Sequence, residues 1–177
     1  LLALPPQPAW HQPLLQSLPY ARRLLLTSRT ETERRASLAG LALALLAAEQ
    51  VTGRPFAPRA FQWSPEGGPA LLDGPGFNLS HCETRVACCA MAGAGCGIDI
   101  EDLPAAADAA TVQKLWRWTA TEAVLKAMGL GLRAASEVEV DDAIAWGSIR
   151  GERFALRALT EVPGVAATRL LGALDPL

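Results

Sequence analysis

The chain has 177 residues, enough for one ordinary domain or for two small lobes sharing a core, and half of them are hydrophobic, which argues against wholesale disorder. With 16 Lys and Arg against 18 Asp and Glu, the formal net charge is -2, which argues against a general nucleic-acid binder. The longest apolar run, Leu38 to Ala48, falls short of the roughly 20 residues needed to cross a bilayer and reads as a core helix, so no membrane association is expected.

The first stretch carries Pro5, Pro6, Pro8, Pro13 and Pro19 and is expected to wrap the exterior without regular structure as far as "ARRLLLTS". A helix follows from about Glu33 to Gln50, capped by Thr30 or Thr32, with Glu33 near its positive end and Gly53 and Pro55 as stops. "RAFQW", the turn-rich "SPEGGPALLDGPG", "FNLSH" and "TRVACCAMA" read as strands separated by turns. The second half has a helix from about Ala109 to Met128 and a turn at Gly129 and Gly131. "SEVEVDD", "AIAWGSIRG", "ERFALRAL" and "VAATRLLGAL" then read as a meander. Each half thus runs from a helix into strands. The expectation is an α+β fold of two pseudo-duplicated lobes, residues 1–98 and 99–177, each a long helix packed on a small antiparallel sheet, together one structural unit.

Cys82, Cys88, Cys89 and Cys96 form no CxxC pair, and Cys88 and Cys89 face opposite ways on a strand, so a zinc site is not expected. They read as small buried thiols of a cytoplasmic protein. Arg22, Arg23, Arg29, Arg34, Arg35, Arg54 and Arg59 lie in the first third, whereas Asp99, Glu101, Asp102 and Asp108 come later. An anionic ligand and a cation can therefore find partners on opposite sides of one cleft; the plainer reading of any single Arg is a solvated surface.

The segment "CGIDIEDL" places Asp99 and Glu101 on one face of a strand and Ile98 and Ile100 on the other. Two carboxylates on one face repel unless a cation lies between them. Oxygen-only ligands favour Mg²⁺ over zinc, and Mg²⁺ accepts phosphate oxygens, which implies a phosphorylated substrate. Cys96 and Asp102 are set aside as ligands. In "WRWTATEAVLKAMG", Glu122 and Lys126 share a helix face at i, i+4, while Trp118, Ala123 and Leu125 are expected to reach the core. Alone, that pair reads as an exposed salt bridge of about 0.3–0.5 kcal/mol.

Taken in order, "FNLSH", "GIDIE" and "WTATEAVLK" resemble the 4′-phosphopantetheinyl transferase superfamily in its larger, monomeric type. The likeness is close from about Phe77 to Lys126. It implies transfer of the phosphopantetheine arm of coenzyme A to a serine of an acyl or peptidyl carrier protein, with release of 3′,5′-ADP. By the resemblance, Asp99, Glu101 and Glu122 hold Mg²⁺ on the pyrophosphate, and Lys126 binds the pyrophosphate and assists the leaving group. Ser80 and His81 contact the nucleotide phosphates, and Arg22, Arg23, Arg35 and Ser37 fall near the 3′-phosphate site. Glu122, directly or through a water, is the candidate base for the serine proton. The active site is expected in the cleft between lobes, the first supplying nucleotide contacts and the second most of the metal and catalytic groups. His81 beside Cys82 is not read as a nucleophile and its base, because strand neighbours face opposite sides.

Three departures from the family pattern stand out. Thr121 occupies the usual place of a Lys, and Gly68 that of a Lys or Arg before Pro69. Each lost charge-assisted contact is expected to cost about 1.5–3 kcal/mol of ligand binding. Only the 12 residues "PAAADAATVQKL" join the strand and helix motifs, so carrier recognition is expected to be narrowed, moved or lost. These departures support a competing reading, a non-catalytic relative that binds a carrier protein or coenzyme A as a partner or scaffold.

Overall fold

The computed structural model describes residues 2–3, 9–64, 68–93, 95–141, 146–160 and 163–174. The "AIA" start of one expected strand and the proline cluster at 5–8 lie outside the described residues. The chain forms an α+β fold in which helices pack on antiparallel sheets.

Helix α1 (His11–Ser17) forms where an irregular segment was expected, because Pro13 falls in the first turn, where its missing N–H has no partner to lose. Helix α2 (Tyr20–Thr27) follows from Pro19. Helix α3 (Glu31–Thr52) starts at a reciprocal capping box: Thr30 Oγ1 accepts from Glu33 N, and Thr30 N donates to a Glu33 carboxylate oxygen at 3.0 Å. It ends at Gly53, whose φ of 71° a side chain would disfavour. Its apolar face, with Leu38, Leu41 and Ala44, packs with Leu14, Leu15, Leu26, Phe61 and Leu71 in the first core.

Strand β1 (Leu2–Ala3) joins β5 (Arg85–Met91), which pairs with β4 (Gly76–His81), and β2 (Phe61–Trp63) and β3 (Pro69–Leu71) make a separate hairpin. The second sheet has the order β6 (Ile98–Asp102), β10 (Val165–Leu174), β9 (Glu152–Ala158), β8 (Trp146–Ile149), β7 (Glu139–Val140). The division at 98/99 falls one residue into β6, all five residues of which pair with β10.

Helix α3 packs on β5 and β4, and helix α4 (Ala109–Ala127) on β10 and β6. A 3-10 helix at Leu132–Glu137 occupies the start of the expected "SEVEVDD" strand, and the paired strand there is β7. The seam between the sheets is apolar: Ala87 of β5, Ile98 and Ile100 of β6, and Val165 and Ala167 of β10 form one buried cluster. Asp102 clips the same seam. Its carboxylate accepts from Thr84 Oγ1 at 2.5 Å and from Glu83 N at 2.8 Å, holding the β4–β5 turn against the end of β6. Burial would raise the Asp102 carboxyl, but these bonds and one from Cys82 hold it below its ordinary value. Asp108 is the N-cap of α4, accepting from Thr111 N at 2.8 Å.

Candidate metal centre

The alternation of β6 sends Ile98 and Ile100 into the seam and Asp99 and Glu101 towards α4. There Glu122 meets them: one oxygen from each of the three carboxylates lies within 4.8 Å of the others. Lys126, one turn further along α4, stands 2.5 Å from Asp99 Oδ1 and 3.6 Å from Glu122 Oε2. Three carboxylates against one ammonium leave two negative charges when all are ionised, the charge a divalent cation balances.

Two features bring the helix and strand this close. Gly97 packs directly beneath α4; a Cβ there would lie 1.8 Å from the Ala123 carbonyl oxygen. Thr119 and Thr168, both fully buried, join α4 to β10 through hydroxyls 2.9 Å apart.

Ser80 sets the orientation of Asp99. Its buried Oγ donates to Asp99 Oδ1 at 2.7 Å and accepts from Lys126 Nζ at 3.1 Å and from Ile100 N at 3.3 Å. With Oδ1 held by Ser80 and Lys126, Asp99 Oδ2 is buried and has no hydrogen-bond partner among the described residues. A buried, unpartnered carboxylate oxygen is costly. An oxygen-only donor set with this orphaned atom fits Mg²⁺ or a similar hard cation.

Trp118 is 38% exposed, not in the core. At i−4 from Glu122 and i−8 from Lys126 it shares their stripe of α4, and its indole N–H faces Glu101 closely enough to favour that carboxylate. Trp116 packs against the core instead. The spacing to Glu122 was the signal in the sequence; its large apolar ring hid it.

The residues considered for phosphate contact separate. Arg22, Ser37, Ser80 and His81 line one small cavity of about 110 Å³ between α2, α3 and β4, with Pro69 at its edge. His81 is exposed, and Arg22 stacks 5.0 Å from the Trp63 ring. Arg29, absent from the expected set, reaches Ser37 Oγ with its Nη1 at 3.4 Å. Arg23 does not line this cavity; it donates to the Gln16 carbonyl at 2.9 Å. Arg35 lines two other cavities. Thr121 is partly buried, its hydroxyl turned back to the Arg117 carbonyl at 2.9 Å. Cys82 Sγ lies 3.3 Å from Asp102 Oδ1 and takes no part in the cluster.

Burial first, and then the Asp99 charge, raise Glu101 above its ordinary 4.5, against the nearby Trp118 indole and Lys126. The same two causes raise Glu122, with Lys126 again opposing. A carboxyl whose pKa is higher in the fold than in the unfolded chain resists ionisation there. Its cost to stability appears as pH rises through the raised value and vanishes below the ordinary one. A cation binds the ionised forms and offsets that cost. Mg²⁺ is therefore expected to raise the melting temperature clearly at about pH 7.5 and much less at about pH 5. Thermal melts with and without Mg²⁺ check this, and an equal gain at both pH values would place the cation elsewhere.

The chain matches no protein-family model, and no curated protein matches it.

Proposed function

We propose that the protein is a 4′-phosphopantetheinyl transferase, moving the phosphopantetheine arm of coenzyme A to a serine of an acyl or peptidyl carrier protein. The observation that carries the proposal is the convergence of the Asp99, Glu101 and Glu122 carboxylates, one oxygen of each within 4.8 Å of the others, with Asp99 Oδ2 buried and unpartnered among the described residues and Lys126 alongside. Asp99, Glu101 and Glu122 would hold Mg²⁺, which would supply charge neutralisation on the pyrophosphate. Glu122 takes the serine proton directly or through a water. The serine oxygen bonds to the phosphorus of the phosphopantetheine arm, and the phosphorus–oxygen bond to the nucleotide breaks. Lys126 would stabilise the 3′,5′-ADP that leaves with the electron pair.

In this proposal α3 on β4–β5 and α4 on the second sheet are two related lobes, and substrates lie in the cleft where β4 faces β6. The cavity shared by Arg22, Ser37 and His81 supports placing nucleotide phosphates on the first lobe. The protein would act as a cytoplasmic monomer, in keeping with four free thiols.

Incubation with coenzyme A, Mg²⁺ and a panel of apo carrier proteins should add the mass of the phosphopantetheine arm to at least one carrier. No modified carrier together with no coenzyme A binding by calorimetry would sink the proposal. Coenzyme A binding without transfer would favour the scaffold reading, which Thr121 supports, since its hydroxyl bonds back to its own helix at the Arg117 carbonyl. Gly68 is exposed, and a Cβ there meets nothing closer than 3.5 Å, so a long cation fits beside Pro69. Gly68→Lys is expected to tighten coenzyme A by about tenfold, measured by calorimetry.

A further inference from the structure

A second cavity, of about 270 Å³, lies on a different face of α3, between its first two turns and α1. That is room for roughly nine waters at liquid density, more than a phosphate group needs. Its polar lining is His11, Gln12, Glu31, Arg34 and Arg35. None of the carboxylates of the metal centre and none of the cavity shared by Ser37 and His81 takes part.

His11 is the unusual member. It is 9% exposed, its ring packs edge-on against Trp10 at 4.3 Å, and its Nε2 is buried with no hydrogen-bond partner among the described residues. Arg34 and Arg35, which both line it, make the lining net positive against the single carboxylate of Glu31. Burial first, then Arg35 and Arg34, hold His11 below its ordinary 6.5, so at neutral pH the ring is neutral. With its proton on Nε2 it offers one donor beside two guanidinium groups. A buried ring nitrogen without a partner among the described residues, on a lining that holds two arginines at the positive end of a 22-residue helix, suits an anion to which the Nε2–H tautomer would donate.

Glu31 decides which anion. A fully deprotonated anion meets its carboxylate only with repulsion, whereas an oxyanion that still carries a proton donates to it. We propose that this cavity binds a singly protonated phosphate, as hydrogen phosphate or as the monoanion of a phosphomonoester. In it Arg34, Arg35 and His11 donate to the phosphate oxygens, and Glu31 accepts from the P–OH. The site needs neither the metal centre nor coenzyme A.

The test follows the His11 ring resonances of the full chain by NMR at neutral pH during separate titrations with inorganic phosphate, glycerol phosphate and sulfate. Phosphate should shift them saturably, and sulfate at least about tenfold more weakly. A stronger response to glycerol phosphate at about pH 6 than at neutral pH would show that the monoester is also accepted; none at either pH would restrict the site to the free ion. Arg34→Gln, at a partly exposed position, should weaken phosphate at least about tenfold, and Glu31→Gln should bring phosphate and sulfate level. Asp99→Asn should leave the titration unchanged, which separates this site from the transferase proposal. No saturable shift, equal response to phosphate and sulfate in the unaltered chain, or a shift that survives Arg34→Gln overturns the inference. So does a response to coenzyme A that Asp99→Asn abolishes, since the cavity would then belong to the transferase site.

Discussion

Gly97→Ala is expected to lower the melting temperature by roughly 6–12 °C or to prevent folding, corresponding to about 3 kcal/mol of overpacking in a chain of this size. The added methyl would lie 1.8 Å from the Ala123 carbonyl oxygen and 3.0 Å from the Ala127 backbone nitrogen. Both are backbone atoms within a helix, so no rotamer change makes room, and α4 must move away from β6 as a body. Glu122 and Lys126 move with it, so any variant that still folds should also lose its Mg²⁺-dependent stabilisation. Gly131→Ala is the control: nothing lies within 4 Å of a Cβ there, and its melting temperature should be nearly unchanged. Thermal melts of the two variants, each with and without Mg²⁺, check both parts.

Asp99→Asn should abolish the Mg²⁺-dependent rise in melting temperature and cut carrier modification by at least about a hundredfold, while the protein stays folded. The amide keeps the shape of the carboxylate, and its oxygen can still accept from Lys126 and Ser80. It removes the negative charge that, after burial, most strongly raises Glu101 and Glu122. The two glutamates should therefore titrate closer to their ordinary values in the variant, readable from their carboxyl carbon shifts. A variant that modifies a carrier as well as the unaltered chain does would remove Asp99 from the reaction.

Much of the fold was legible because its signals are local. Thr30 and Glu33 mark the start of α3, Gly53 its end, and the alternation in "FNLSH", "TRVACCAMA" and "GIDIE" marks strands β4, β5 and β6. Asp99 and Glu101 were legible as a pair for the same reason. What they meet was not, since the approach of α4 depends on a long-range contact permitted by Gly97 and fastened by Thr119 and Thr168.

Side chains with two plausible uses were misread or left open. Trp118 looks like a core residue by composition, yet its stripe of α4 belongs to Glu122 and Lys126. A strand serine hydroxyl can serve a ligand or a neighbour, and it is the adjacency of β4 and β6 that turns Ser80 onto Asp99 and Lys126. Pro13 reads as a breaker until its place in the first turn of α1 is known. His11 acquires its surroundings from α3, some twenty residues further on.

The central claim is that the carboxylates of Asp99, Glu101 and Glu122 hold a cation that joins coenzyme A to the protein. Calorimetric titration of coenzyme A, with Mg²⁺ and with chelator, tests it without knowledge of the carrier. The account predicts binding that strengthens at least about tenfold with Mg²⁺ and loses that dependence in Asp99→Asn. Binding that is absent, or equally strong with chelator and with Mg²⁺, would contradict it.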